Sequence, residues 1–212
     1  EGSNNPSFLW QPGMIKNGEF LETGPKDFGP DILTRDVIDF IKHKKAESKP
    51  FFVYYAEGLT HNPHDSMPDP GSPTGKTVPG MASGVRYLDK VIGRLADALK
   101  ETGLWENTVL MIGGDNPSNY LGKNIYSAIG VHVPLIVVGG QRWVKWHGAT
   151  GSLTDFTDVY PTCLELAGIK TKDYKEISGK SFKPLLDGDK SYTRPWLFGW
   201  CGGYRVIRDR QW

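Results

Sequence analysis

Three short polar clusters carry the residues that could do chemistry: Leu59-Thr60-His61-Asn62-Pro63-His64-Asp65, Gly114-Asp115-Asn116, and Gly122-Lys123 running on toward Gly130-Val131-His132. Asp115 and Asn116 offer one carboxylate and one amide oxygen, both hard donors of the kind Ca²⁺ or Mg²⁺ takes. Alone, an Asp-Asn pair is more often an ordinary turn. Its neighbours change the balance. The Lys123 ammonium is a compact donor for a tetrahedral oxyanion. A histidine such as His61 or His132 can donate to the same anion or protonate a leaving oxygen. A metal, a lysine and a histidine converging on one point describe a hydrolase of anionic esters.

The elements that must position these clusters follow from the apolar pattern. Pro50–Ala56 is a continuous aromatic and β-branched run, which predicts a strand buried on both faces. Asn107–Gly113 and Val133–Val138 predict two more strands. A helix is expected from Asp31, as N-cap, to about Lys45. In the next, Val85, Leu88, Ile92, Leu95 and Leu99 form an apolar stripe between Ala82 and Glu101, with Lys90, Arg94, Asp97 and Lys100 opposite and Gly103 as the stop. Thr157–Ala167 predicts a further helix, and Trp196–Trp200 with Arg205–Arg208 a terminal hairpin. The first thirty residues, rich in Gly, Pro and Asn, are expected to be extended loop. Strands alternating with helices predict an α/β domain with helices on a largely parallel sheet. Ligands gather at the carboxyl ends of such strands, where the polar clusters lie.

Composition narrows the partners. Lys plus Arg number 25 against 24 Asp plus Glu, which makes no electrostatic case for nucleic acid or an anionic membrane. No apolar run is long enough to span a bilayer. The chain opens on Glu1 rather than Met, and a leader or upstream region is expected to precede it. Cys163 is expected to be a small buried residue, and neither it nor Cys201 lies in a metal or redox spacing. His64 and Asp65 are expected to form a solvated loop, and Trp143, Trp146 and Trp200 to fill the edge of the core.

An ordered series of motifs resembles the sulfatase family along nearly the whole chain. Leu59-Thr60-His61-Asn62-Pro63 is similar to the family's LTHxP turn, and Tyr87-Leu88-Asp89 through Gly93-Arg94-Leu95 to its YxDxxxGRL helix. Gly103-Leu104, Asn107-Thr108 and Asp115-Asn116 follow its GLxxNT strand and DN turn. Gly122-Lys123 with Gly130-Val131-His132-Val133-Pro134-Leu135-Ile136-Val137 resembles GK…GTHVPLIV. Thr157-Asp158-Val159-Tyr160-Pro161-Thr162 and Gly179-Lys180-Ser181-Phe182 match the TDxxPT helix and the GxSFxPLL segment.

The resemblance implies part of an alkaline-phosphatase-like sheet, mainly parallel and flanked by helices. It implies a lead-in over residues 1–30, a partial catalytic domain over 31–190 and the start of a C-terminal hairpin region over 191–212. It also implies hydrolysis of a sulfate ester, of a small molecule or glycan, at a Ca²⁺ site (Mg²⁺ second). Asp115 and Asn116 are then metal ligands, Lys123 and His61 bind sulfate and act in catalysis, and His132 is a further substrate contact. Secretion, or a periplasmic or lysosomal home, belongs to the same implication.

Several features depart from the pattern. The family's nucleophile is a formylglycine made within (Cys/Ser)-x-Pro-x-Arg, and no such motif occurs in these 212 residues. The upstream strand ending in paired Asp residues is also missing. The segment alone is therefore expected to be inactive, and its uncovered apolar surface to favour self-association. Pro117 stands where a Gly is usual, six residues separate Asn116 from Lys123, and Ala128 replaces an acidic residue. These departures keep two alternatives open: a phospho- or phosphonate-ester hydrolase of the same superfamily, and a degenerate, non-catalytic sulfatase-like binding protein.

Overall fold

The computed structural model describes residues 8–61, 67–70, 76–117, 128–170, 176–201 and 203–211. The chain forms two compact units, Glu1–Leu104 and Trp105–Trp212.

In the first unit, strands β1 (Met14–Lys16) and β2 (Glu19–Leu21) pair antiparallel around Asn17-Gly18. The expected loop of the first thirty residues thus contains a hairpin. Asn17 and Gly18 both adopt positive φ, 54° and 89°, the backbone that a two-residue turn of matching twist requires. Helix α1 spans Gly29–Ala46 and begins two residues earlier than expected, with Phe28 rather than Asp31 in the capping position. Pro30 in the first turn loses nothing by lacking an N–H there. Asp31 is left free to face another element.

Segment 50–56 is not a strand buried on two sides. It joins no ladder among the described residues, and its burial alternates: Phe51, Val53 and Tyr55 are half-covered, whereas Phe52 and Tyr54 are 73% and 85% exposed. A short antiparallel pair follows, β3 (Met67–Pro68) with β4 (Thr77–Val78). Helix α2 spans Met81–Glu101. After it, Gly103 at φ 71° lets the Leu104 amide return to the Leu99 carbonyl at 2.8 Å. Its buried face takes in Gly84, Tyr87, Val91, Leu95, Ala98 and Leu99; Leu95 and Leu99 of the expected stripe lie in it, while toward the N-terminus the face is rotated and leaves Val85 53% exposed. Tyr87 and Arg94, both turned toward α1, account for that rotation. The core of this unit gathers Leu9, Phe28, Leu59, Met67, Tyr87 and Val91.

In the second unit, β5 (Val109–Gly113) pairs antiparallel with β6 (Leu135–Gly139), in register from Val109 opposite Gly139 to Gly113 opposite Leu135. Between them lies the single helical turn α3 (Ala128–Val131). Helix α4 (Val159–Leu166) follows one 3-10 turn, Phe156–Asp158, which Asp155 caps through the Thr157 amide. A short helix α5 (Lys183–Leu186) leads to the terminal hairpin, β7 (Leu197–Cys201) with β8 (Tyr204–Arg208). Phe182, Leu186 and Tyr192 form the buried centre, with Met111, Leu135, Val137 and Val159 packed against it. All ladders of the described residues are antiparallel and two-stranded, so the parallel pairing expected for the sheet is not among them.

Buried Asp158 holds this unit together. Its carboxylate accepts from the Lys180 amide at 2.7 Å, the Asp155 amide at 3.0 Å and the Arg194 guanidinium. Arg194 also reaches Asp155 at 3.0 Å and the Trp196 carbonyl at 3.1 Å. Helix α4, the 179–182 segment and the start of the hairpin thus share one buried ion pair. Gly179 fits because any Cβ there would overlap the Thr157 carbonyl.

Candidate metal and anion site

The His61 turn is built from the residues just before it. Glu57 uses both carboxylate oxygens: one accepts the Leu59 amide at 3.1 Å, the other the Tyr55 phenol proton. Tyr55 in turn meets the Thr34 hydroxyl of α1 at 3.1 Å. The turn is therefore moored to helix α1 through Glu57, Tyr55 and Thr34. Burial, then the Glu57 carboxylate, push the Tyr55 phenol well above its ordinary range, so it stays a donor.

The His61 amide closes on Gly58 at 3.0 Å, and the exposed His61 ring meets Phe8 edge-on at 6.3 Å. A Cβ on Gly58 would sit 2.9 Å from the same Phe8 ring, so Gly58 makes room for the aromatic that flanks His61. Asn62, Pro63, His64 and Asp65 lie outside the described residues.

In the second unit, the Asp115-Asn116 turn leaves the end of β5, and His132 lies just before β6. Because the two strands are antiparallel with Gly113 opposite Leu135, both come to the same end of the ladder. The Gly114 amide donates to the Pro134 carbonyl at 3.1 Å, which extends the pairing one step toward the turn. Asp115 and His132 are exposed and Asn116 is partly buried. The Asn116 amide nitrogen donates to the Pro117 carbonyl at 2.9 Å, so its side-chain oxygen is the atom left to act as an acceptor.

A carboxylate and an unengaged amide oxygen side by side fit a hard cation by donor chemistry, and they are a fraction of the roughly six to eight oxygens Ca²⁺ takes. Among the described residues no group of three or more His, Cys, Asp or Glu is placed to hold a metal. Lys123 lies outside the described residues.

Other expectations resolve as follows. Cys163 is half-buried rather than fully buried, and desolvation raises its thiol pKa. The Trp143 indole donates to Asn107 at 3.2 Å, as an edge-of-core residue should. Trp200 is instead 67% exposed, with the Arg205 guanidinium 5.8 Å over its ring. Glu57 and Thr34 are positioning residues that the sequence pattern did not single out. The only signal for Glu57 is its place two residues before Leu59, and Thr34 acts across 21 positions.

The sulfatase family profile matches residues 4–169. An uncharacterised sulfatase of Escherichia coli, YdeN, is 28% identical over 203 residues, covering 87% of this chain and 35% of that relative. The canine N-acetylgalactosamine-6-sulfatase is 27% identical over 191 residues, covering 82% of this chain and 35% of that relative. This chain thus spans about a third of the length of the curated relatives it matches. The solved structure of Ps i-CgsB superposes with a TM-score of 0.74 at 22% identity, over 94% of this chain and 48% of that one. That likeness establishes an α/β fold in common.

Proposed function

Since the chain belongs to the sulfatase family, we propose that it supplies half of a sulfate-ester hydrolysis site. Asp115 and Asn116 would hold a hard divalent cation, Ca²⁺ in preference to Mg²⁺ by the family resemblance. A cation bound there offsets charge on the sulfate oxygens, which is Lewis-acid chemistry. The Lys123 ammonium binds those oxygens, and His132 donates a further hydrogen bond to the anion. His61 donates its proton to the leaving ester oxygen as the S–O bond breaks, so that an alcohol departs. The nucleophile is not among these 212 residues, and the segment alone is inactive.

What carries this reading is the shared ladder end of Asp115-Asn116 and His132, reached by different parts of the chain. The likeness to an N-acetylgalactosamine-6-sulfatase favours a sulfated sugar as substrate. A secreted, periplasmic or lysosomal home follows from the family alone. No helix among the described residues is long and apolar enough to cross a membrane.

The test is a parallel assay of aryl sulfate and aryl phosphate with the full-length product that contains this segment. Sulfate-ester turnover that disappears in D115A and K123A supports the assignment. Phosphate-ester cleavage with no sulfate-ester turnover sinks it, in favour of a phosphohydrolase of the same superfamily.

A further inference from the structure

Where β8 ends, Arg208, Asp209 and Arg210 line a cleft of about 400 Å³ together with the loop Thr150-Gly151-Ser152-Leu153. We propose that this cleft binds an anionic oxyester carried on a polyhydroxy ligand, a sulfated sugar being the first candidate.

Its charge and donors suit that ligand. Among the described lining residues two guanidiniums stand against one carboxylate, a net positive set. Neither Arg208 nor Arg210 has an ion-pair partner among the described residues. A guanidinium's planar fork is the side chain best matched to two oxygens of a sulfate or phosphate group. Arg208 is paired in register with Leu197, so the hairpin ladder fixes its backbone before any ligand arrives.

The hydroxyl loop supplies the rest. The Thr150 hydroxyl donates to Ser152 Oγ at 3.1 Å and accepts the Ser152 amide at 3.1 Å. That leaves the Ser152 hydroxyl proton free to point at a ligand. One oxygen of Asp209 accepts the Gln211 amide at 2.7 Å, which ties the carboxylate to the backbone just past β8. Among the described residues the cleft is lined by guanidinium, carboxylate and hydroxyl groups, which offer a polyhydroxy ring donors and acceptors. The volume falls within the range of small-ligand sites.

The inference rests on the sulfatase reading only in taking sulfate as the first probe. Calorimetric titration of the full chain with a 6-O-sulfated hexose, the parent hexose, the hexose 6-phosphate and inorganic sulfate tests it. The sulfated hexose should bind, weaken as salt is raised, and lose at least about tenfold in affinity in R208A/R210A. Comparable binding of the 6-phosphate also supports the site, and extends it to anionic oxyesters at large.

Unaltered binding in R208A/R210A, or loss confined to K123A, would overturn it. Equal affinity for the parent hexose or for inorganic sulfate alone would do the same. Should R208A/R210A melt early, R208K/R210K keeps the charge without the fork, and its weakened but salt-sensitive binding is the required result. Absence of sulfate-ester turnover in the full-length product would count against the catalytic reading and leave this one standing.

Discussion

The carboxylate of Asp31, in the first turn of α1, accepts the Tyr87 phenol proton of α2 at 2.9 Å and pairs through its other oxygen with Arg94. Tyr87 is 1% exposed and packs edge-on against Phe28 at 5.0 Å. Asp31→Ala would strand a buried hydroxyl and remove the Arg94 partner together. A loss of about 1–3 kcal/mol in urea unfolding is expected. Tyr87→Phe, which removes the donor and leaves the Asp31–Arg94 pair, should cost less.

Tyr87 and Tyr55 also make stability depend on alkaline pH. Both phenols are held well above the ordinary value of 10.0, first by burial and then by the carboxylates of Asp31 and Glu57. A phenol whose pKa is raised on folding binds more protons folded than unfolded, so its contribution is complete below about pH 10 and falls as pH rises further. The urea midpoint should decline above that value, and Tyr55→Phe/Tyr87→Phe should flatten the decline. An unchanged slope would remove these tyrosines from the account.

Glu57 positions rather than reacts. Glu57→Ala frees the Leu59 amide and the Tyr55 hydroxyl at once, which should cost about 1–3 kcal/mol. Under the proposed proton-donor role of His61, its signature in the full-length product is a reduced kcat with the pH profile of turnover kept, because His61 would lose placement and not its chemistry. A displaced pH profile would argue instead for a direct part in proton transfer.

Breaking the Asp158–Arg194 pair should be the most damaging change in the second unit. Asp158 is fully buried and Arg194 nearly so, and removing one partner leaves the other charge buried alone. Arg194→Met is expected to cost about 3–5 kcal/mol by chemical denaturation. Replacing both residues with apolar ones should recover part of that loss.

The proposed cation ligands are open to direct measurement. Calcium titration of the full-length product should show Asp115→Ala weakening binding by at least about tenfold, with Asn116→Ala closer to tenfold. Calcium affinity equal to wild type in both variants would place the cation elsewhere.

Sequence pattern located the elements better than it oriented them. The pattern bounds helix α2 within one residue because its apolar period is long and regular, and it correctly places Leu95 and Leu99 in the core but not Val85. What turns the helix is Asp31 catching Tyr87 and Arg94, contacts 56 and 63 positions apart, which no local window contains. Segment 50–56 has strand composition throughout, but composition does not say whether a partner strand covers both faces. The hairpin at 14–21 carries one signal in sequence, Asn17-Gly18, set in a stretch whose Gly, Pro and Asn content otherwise reads as loop. The Asp115-Asn116 turn at a strand end was legible in order and in place. Glu57 and Asp158 are not visible as anchors in sequence, because an anchoring carboxylate and a surface one look alike until the packing around them is known.

Pro117 has a consequence beyond the missing amide. Its carbonyl draws in the Asn116 amide nitrogen, so the rotamer of that side chain is chosen when the chain folds and not when something binds. The entropy of fixing Asn116 is then lost on folding, which leaves less to lose if its oxygen takes the proposed cation.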